Sequence, residues 1–201
     1  MANALSILAM AAAYVSKLEQ QSEAMEFKED SPRFGIRSAR SSDIPLLERV
    51  EKSAAEAFRS VDLEFLLDEP TVEVSALTQM ARSNHLWIAV NDWDQPIGFL
   101  GGENLQGNFH IAEISVAQDF QGRGIGGALM RTMFEQIQRE GYKYITLTTF
   151  KDVPWNGPWY KKMGFKEISP RAMKKQYTEI LKDEAARGMD PDRRCIMRKI
   201  L

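Results

Sequence analysis

The stretch of this chain best suited to hold a ligand is Gln121-Gly122-Arg123-Gly124-Ile125-Gly126-Gly127. An alternating apolar run precedes it, His110-Ile111-Ala112-Glu113-Ile114-Ser115-Val116, and a helical pattern follows, Ala128-Leu129-Met130-Arg131-Thr132-Met133-Phe134. Strand, glycine-rich turn and helix, in that order, is the arrangement that binds a pyrophosphate. Glycines let the backbone approach the ligand and take positive φ without a Cβ clash. The first N–H groups of a helix have no partner inside it, and the helix dipole favours an anion there. Arg123 adds a planar fork of donors. Two common phosphate loops fit less well. A Walker-type loop needs Lys-Ser or Lys-Thr after its last glycine, and Gly127 is followed by Ala128-Leu129. A dinucleotide fingerprint belongs to an early βαβ unit, and this turn sits past the middle of the chain.

What fits is Gln-x-x-Gly-x-Gly, read at Gln121, Gly124 and Gly126. Downstream a β-type run, Tyr144 to Phe150, leads into Pro154-Trp155-Asn156-Gly157-Pro158-Trp159-Tyr160-Lys161-Lys162-Met163-Gly164-Phe165. Asn156 and Tyr160 are four apart and share a helix face. Gly164 stands where that helix should end. Loop and Tyr helix together resemble the GNAT superfamily of N-acetyltransferases, over roughly Phe34 to Leu201. The resemblance implies an α/β single domain: a mixed, mostly antiparallel twisted sheet with a splayed central parallel pair, flanked by helices. It implies acetyl-CoA as co-substrate and no metal. Backbone groups at Ser115 and Val116, the loop residues Gln121, Gly122, Arg123, Gly124, Ile125, Gly126 and Gly127, and Asn156 and Tyr160 would contact it.

Acetylating an amine from a thioester needs a proton acceptor, a stabiliser of the carbonyl oxygen and a proton donor for the leaving thiolate. The resemblance puts the backbone N–H that polarises the carbonyl at or near Val116. Tyr160 is the candidate acid: a phenol, with a pKa of about 10 against about 8.5 for a thiol, is protonated at neutral pH. Its plainer role is packing on the sheet. Asn156 reads as a cofactor hydrogen-bonder or as a helix cap. The base is Glu113 or His110. Three apart on a regular strand, they point to opposite faces unless a bulge intervenes. Glu113 would share its face with Ile111 and Ser115, and His110 would share the more core-like face of Ala112, Ile114 and Val116. That favours Glu113. Asp152 is a third candidate, more plainly an ordinary loop cap.

The 201 residues suffice for one domain with a substantial core, and 44% hydrophobic with 27% charged residues is an ordinary globular balance. A net charge of −2 gives no footprint for nucleic acid. One cysteine, Cys195, forms no internal disulfide and suits a reducing, cytoplasmic compartment. The apolar run Ala4 to Val15 lacks a basic n-region and is too short to span a bilayer. Residues 1–33 are expected to form a helical or disordered extension, and residues 34–201 the acetyltransferase domain.

Phe34 to Ala39 reads as a strand. A helix follows with Ser42 or Asp43 as cap and Pro45 just inside. Thr71 to Arg82 reads as a second helix, Leu86–Val90 and Pro96–Gly102 as a hairpin, a helix begins near Arg171, and Arg194 to Ile200 is a last strand. The expected partner is a small-molecule amine, with no nucleic acid and no membrane. A homodimer, a protein lysine or N-terminal substrate, and an inactive acyl-CoA-binding module stay open as alternatives.

Overall fold

Alternating apolar residues build a sheet of seven strands, and helices with apolar stripes cover both of its faces. The computed structural model describes residues 34–201, so the expected N-terminal extension lies outside the described residues. In chain order come β1 (Gly35–Ser38), α1 (Ile44–Ala55), 3-10 turns at Glu56–Val61 and Glu64–Leu67, α2 (Val74–Arg82), β2 (Leu86–Val90) and β3 (Pro96–Leu105). Then follow β4 (Asn108–Val116), α3 (Ile125–Arg139), β5 (Tyr144–Phe150), α4 (Gly157–Lys162), β6 (Lys166–Glu167), α5 (Lys175–Ala186) and β7 (Arg194–Ile200).

The strand order is β1-β2-β3-β4-β5-β7-β6. Every neighbouring pair is antiparallel except β4 and β5. Those two pair only at Phe109↔Ile145 and His110↔Thr146. Beyond these rungs, Ile111 to Val116 and Leu147 to Phe150 have no ladder between them, and the sheet opens into a gap. Helices α1 and α2 pack Leu47, Val50, Leu77 and Met80 against Ile88 and Phe99 on one face. Helix α3 buries Ile125, Leu129, Met130, Met133 and Ile137 on the other face, together with Tyr160 of α4 and Phe165. Each such side chain, fully buried, contributes roughly 1.5–3 kcal/mol. Helix α5 returns to the first face, where Tyr177 packs on Ile168 and Ile196.

Three local expectations are corrected. Asp43 holds the N-cap position of α1 but makes no side-chain cap. Its carboxylate is taken by Arg37 at 2.6 and 2.9 Å and by the Arg40 N–H at 2.7 Å, which pins β1 to the start of α1. Helix α2 begins at Val74 rather than Thr71. The Val72 N–H is held by the Glu51 carboxylate instead, keeping that segment out of the helix. The last helix begins at Lys175 rather than near Arg171, because Met173 and Lys174 are extended after a 3-10 turn at Pro170–Ala172. Met173 spends that break packing beside Tyr177 and Ile196.

Strand β3 runs on to Leu105, past the expected Gly102, and turns into β4 through Gln106 and Gly107, with φ of 50° and 84°. The β3–β4 ladder changes register here. Gly101 pairs with Glu113 and Gly102 with Ile111, so Ala112 is an extra residue and β4 carries a bulge. Gly102 lies opposite it. A Cβ there would come within 2.4 Å of the Phe109 ring and 2.6 Å of the His110 carbonyl oxygen. Gly102→Ala is therefore expected to cost about 1–3 kcal/mol, typical of forced overpacking. Thermal unfolding checks this. An unchanged midpoint would mean that the Phe109 ring has room to move aside.

Candidate functional site

The bulge decides which side chains meet at the gap. Gly101 and Glu103 are two apart on β3, so their partners Glu113 and His110 lie on one face, not on opposite faces as a regular strand requires. Ser115, opposite Phe99, shares that face. Ile111 does not, because the bulge sends it to the α3 side with Leu100. Glu113, His110 and Ser115 thus belong to the face carrying α1, α2 and α5.

On that shared face the two base candidates differ in chemistry. His110 is buried, and its Nδ1 lies 2.9 Å from the Thr146 hydroxyl, which itself lies 3.3 Å from the Phe109 carbonyl. Loss of solvent lowers its pKa to about 4, against a raising effect from Glu184. A ring that holds its proton so weakly is a poor base at neutral pH. Glu113 keeps part of its surface open and accepts from the Ser115 hydroxyl at 2.8 Å. Desolvation pushes its carboxyl upward, while Ser115, the Ile114 N–H and Arg194 pull the other way. Asp152 forms an exposed ion pair with Arg193 at 2.8 Å.

Tyr160 lies on α4 behind the gap, buried, with its ring 5.0 Å from Trp159 and 5.7 Å from Phe165. Desolvation raises its pKa above that of an ordinary phenol, and the charge of Glu113 adds to this, so the hydroxyl keeps its proton. The charge of Glu113 thus reaches the Tyr160 hydroxyl. Asn156 occupies the N-cap position of α4 without making a side-chain cap, so its amide is not spent on the helix.

The backbone completes the arrangement. The Ala117 N–H donates to Ile97 on β3 at 2.9 Å, so by strand alternation the Val116 N–H points the other way, into the gap. The Val116 carbonyl accepts from the Gln121 side chain at 2.9 Å, and that side chain also reaches the Ala54 carbonyl at 3.4 Å. Gln121 thus ties the loop to β4 and α1, leaving its backbone for a ligand. Gly122 and Gly124 have φ of 75° and 81°, and a Cβ at either would meet nothing within 4 Å. Gly124 is the N-cap of α3 and offers no side-chain cap. The helix starts with open N–H groups above open space, which fits an anionic pyrophosphate. Gly126 lies against Trp159 of α4, and the Arg123 guanidinium rests 5.3 Å over the Phe120 ring.

Three residues absent from the sequence reading belong to this face. Arg194, at the start of β7, makes a bidentate pair with Glu184 of α5 at 2.8 and 2.6 Å, with side chains only 9% and 6% exposed. Its guanidinium lies 4.5 Å over the Phe150 ring. Glu51 of α1 is the third. Nothing in linear spacing joins Arg194 to Glu113. Glu51 did carry a signal, a charge one turn beyond Leu47 on the apolar side of its helix.

Comparison with known proteins agrees with this geometry. Residues 82–167 match the family model described as the acetyltransferase (GNAT) domain. Among solved structures, the fold is similar to PaiA N-acetyltransferase from Thermoplasma acidophilum in complex with coenzyme A, with a TM-score of 0.65, 16% identity, and coverage of 84% of this chain and 99% of that one. It is similar to N-acetylglutamate synthase from Neisseria gonorrhoeae complexed with coenzyme A and N-acetyl-glutamate, with a TM-score of 0.60 and 18% identity, covering 84% of this chain but 35% of that one. It is also similar to the ribosomal-protein-S18-alanine N-acetyltransferase from Escherichia coli, with a TM-score of 0.58 and 14% identity, covering 84% and 94%. Residues 82–167 are thus similar to a GNAT acetyltransferase domain, and residues 34–201 have a GNAT fold. Among the described residues no helix is long and apolar enough to cross a membrane, and no His, Cys, Asp and Glu cluster is arranged to hold a metal ion.

Two predictions follow from this geometry. Gly124→Val puts a branched side chain at positive φ, and directs it into the space that a pyrophosphate needs. Calorimetry with coenzyme A should show binding reduced below detection while the circular dichroism of the fold persists. Retained affinity would move the anion elsewhere. The second concerns His110. Between its ordinary pKa near 6.5 and about 4, the unfolded chain binds a proton that the folded chain does not, so stability falls as pH falls through that window. His110→Gln should flatten this slope, and urea denaturation at stepped pH reads it. Equal slopes in the two proteins would mean that His110 is protonated within the fold.

Proposed function

We propose that the protein is an acetyl-CoA-dependent N-acetyltransferase that acetylates a primary amine of a small molecule by direct attack on the thioester. Residues 34–201 form the catalytic domain in this reading, with residues 1–33 as an appended segment. The observation that carries it is the convergence of Glu113, the Val116 N–H and Tyr160 on the gap between β4 and β5, next to the uncapped start of α3.

Glu113 takes a proton from the acceptor nitrogen, directly or through a water. The Val116 N–H donates to the thioester carbonyl oxygen as negative charge develops on it. Tyr160 gives its proton to the sulfur as the carbon–sulfur bond breaks. Glu113 also adjusts Tyr160. Its carboxylate raises the phenol pKa, and a cation docked on Glu113 cancels that effect, making Tyr160 a better donor when substrate is present. Free backbone groups along Ile114 to Val116 can pair with the amides of a pantetheine arm as an added strand would. Leu63, with Phe58, Val61 and Leu66, packs on Phe150, Val153 and Met189.

Incubation with acetyl-CoA and a panel of alkylamines, diamines, amino acids and peptides, with release of free thiol as the readout, tests this reading. Turnover restricted to peptides would replace the small-molecule reading with the protein N-terminal one. Absence of transfer despite coenzyme A binding would leave a binding module. Tyr160→Phe should lower kcat about 10²–10⁴-fold, as for loss of a general acid, with the acetyl-CoA dissociation constant unchanged. An unaltered kcat would return Tyr160 to packing.

A further inference from the structure

Strand β7 carries a buried cation to one lip of the gap. The opening begins beyond the rung His110↔Thr146, whereas β5 and β7 stay paired to the last rung, Phe150↔Arg194. One lip is therefore β4 from Glu113 to Val116, and the other is the end of β5 backed by Arg194. Thr146 meets the His110 ring through its hydroxyl, so it lies on the face of His110 and Glu113. Alternation puts Thr148 and Phe150 on that face too, and with them their β7 partners Ile196 and Arg194. The packing agrees: Phe150 meets Phe58 and Leu63, which follow α1, and Ile196 meets Tyr177 of α5. The Arg194 guanidinium lies 4.5 Å over the Phe150 ring. It leans from β7 across β5, toward the opening.

A guanidinium has five N–H donors in one plane. Nε of Arg194 donates to Glu184 at 2.8 Å and Nη2 at 2.6 Å. That side-on pair uses one edge of the group. The other edge, one N–H from each Nη, faces away from Glu184, and Nη1 makes no hydrogen bond among the described residues. The Arg194 side chain is only 9% exposed. Among the described residues the one side-chain N or O that is both fully buried and without a partner is Gln176 Nε2, so Nη1 is the part of Arg194 that solvent still reaches. Glu184, itself buried, sets the plane of the cation and leaves its second edge oriented in advance. We propose that this open edge receives the carboxylate of the acceptor, so that the substrate is an amine that also carries a carboxylate, its nitrogen at Glu113 on the opposite lip. This rests on the acetyltransferase reading and names a substrate class for it.

Charge and shape both select a carboxylate. Its two oxygens match two parallel N–H groups of the fork. Glu184 already shares the cation, so a ligand group with one negative charge is matched better than one with two. The lips have opposite polarity, a carboxylate on β4 and a guanidinium at the end of β5, and a zwitterion fits across them in one direction only. The charge of Arg194 acts on Glu113, as it should for groups on facing lips. Spacing sets the length of the acceptor. Strands β4 and β7 are two apart in the sheet, which separates their backbones by about 10 Å or more. The Glu113 and Arg194 side chains close part of that distance, and several carbons between nitrogen and carboxylate span the rest.

Calorimetry of the coenzyme A-loaded protein with 5-aminopentanoate and with pentylamine tests this without needing turnover, because the two differ only by a carboxylate in place of a methyl group. The wild type should bind the amino acid at least about tenfold tighter, as expected of hydrogen bonds between charged groups. Arg194→Lys keeps a cation for Glu184 but has no second fork. It should remove the preference and leave the coenzyme A dissociation constant unchanged. Pentanoate against 1-pentanol repeats the comparison in the wild type, with no amine and no variant that must fold, and pentanoate should again bind the tighter. Equal affinities within either pair of probes in the wild type, or a preference that survives in R194K, would overturn the carboxylate fork. Carboxylate-dependent binding with no acetyl transfer to 5-aminopentanoate would overturn the acetyltransferase reading and leave the fork standing. Transfer to pentylamine with a kcat/KM equal to that for 5-aminopentanoate would do the reverse.

Discussion

Two rungs, Phe109↔Ile145 and His110↔Thr146, are all that join β4 to β5, and the site exists because the ladder stops there. A parallel pair that continued would consume the backbone groups of Ile114 and Val116. Stopping leaves them facing a gap, where an extended ligand arm can use them. The side-chain bond between His110 and Thr146 lies at the last rung and is buried. This gives the histidine a structural reason to be where it is. It closes the base of the opening, and the cost of being there is a depressed proton affinity.

The bulge at Ala112 is the second half of the same constraint. It brings Glu113 onto the face of His110 and Ser115, and sends Ile111 into the core under α3. Without it, one carboxylate would exchange places with an isoleucine. Gly102 makes room for the bulge, since any Cβ there would collide with Phe109 and the His110 carbonyl. Glu113 on β4 is therefore positioned by a glycine on β3.

Much of this was legible in the chain. Residues Tyr144 to Phe150, the glycines of the loop and the Asn156–Tyr160 spacing report local structure, and local structure is what periodicity and turn chemistry encode. The start of α2 and the cap of α1 were misjudged for one reason. Glu51 holds Val72, and Arg37 holds Asp43. Both are contacts between elements, which compete with local propensity and leave no trace in spacing. The faces of β4 stay open between a regular and a bulged strand in the sequence, because a bulge depends on the partner strand. The Arg194–Glu184 pair was invisible because what makes it matter, its nearness to Glu113 and Tyr160, arises only once β7 is docked.

That docking has a consequence for how the protein is made. Strand β7 inserts between β5 and β6, both of which the ribosome has already produced. Until synthesis passes Ile200, β5 is an open edge and Glu184 is a carboxylate awaiting its arginine. The nascent chain thus emerges with its glycine loop and α3 complete but the β5 edge unpaired and ready to pair wrongly. Folding must wait for the final strand, a long-range closure of the slow kind. A cell that needs this protein in quantity has reason to shield that edge during translation.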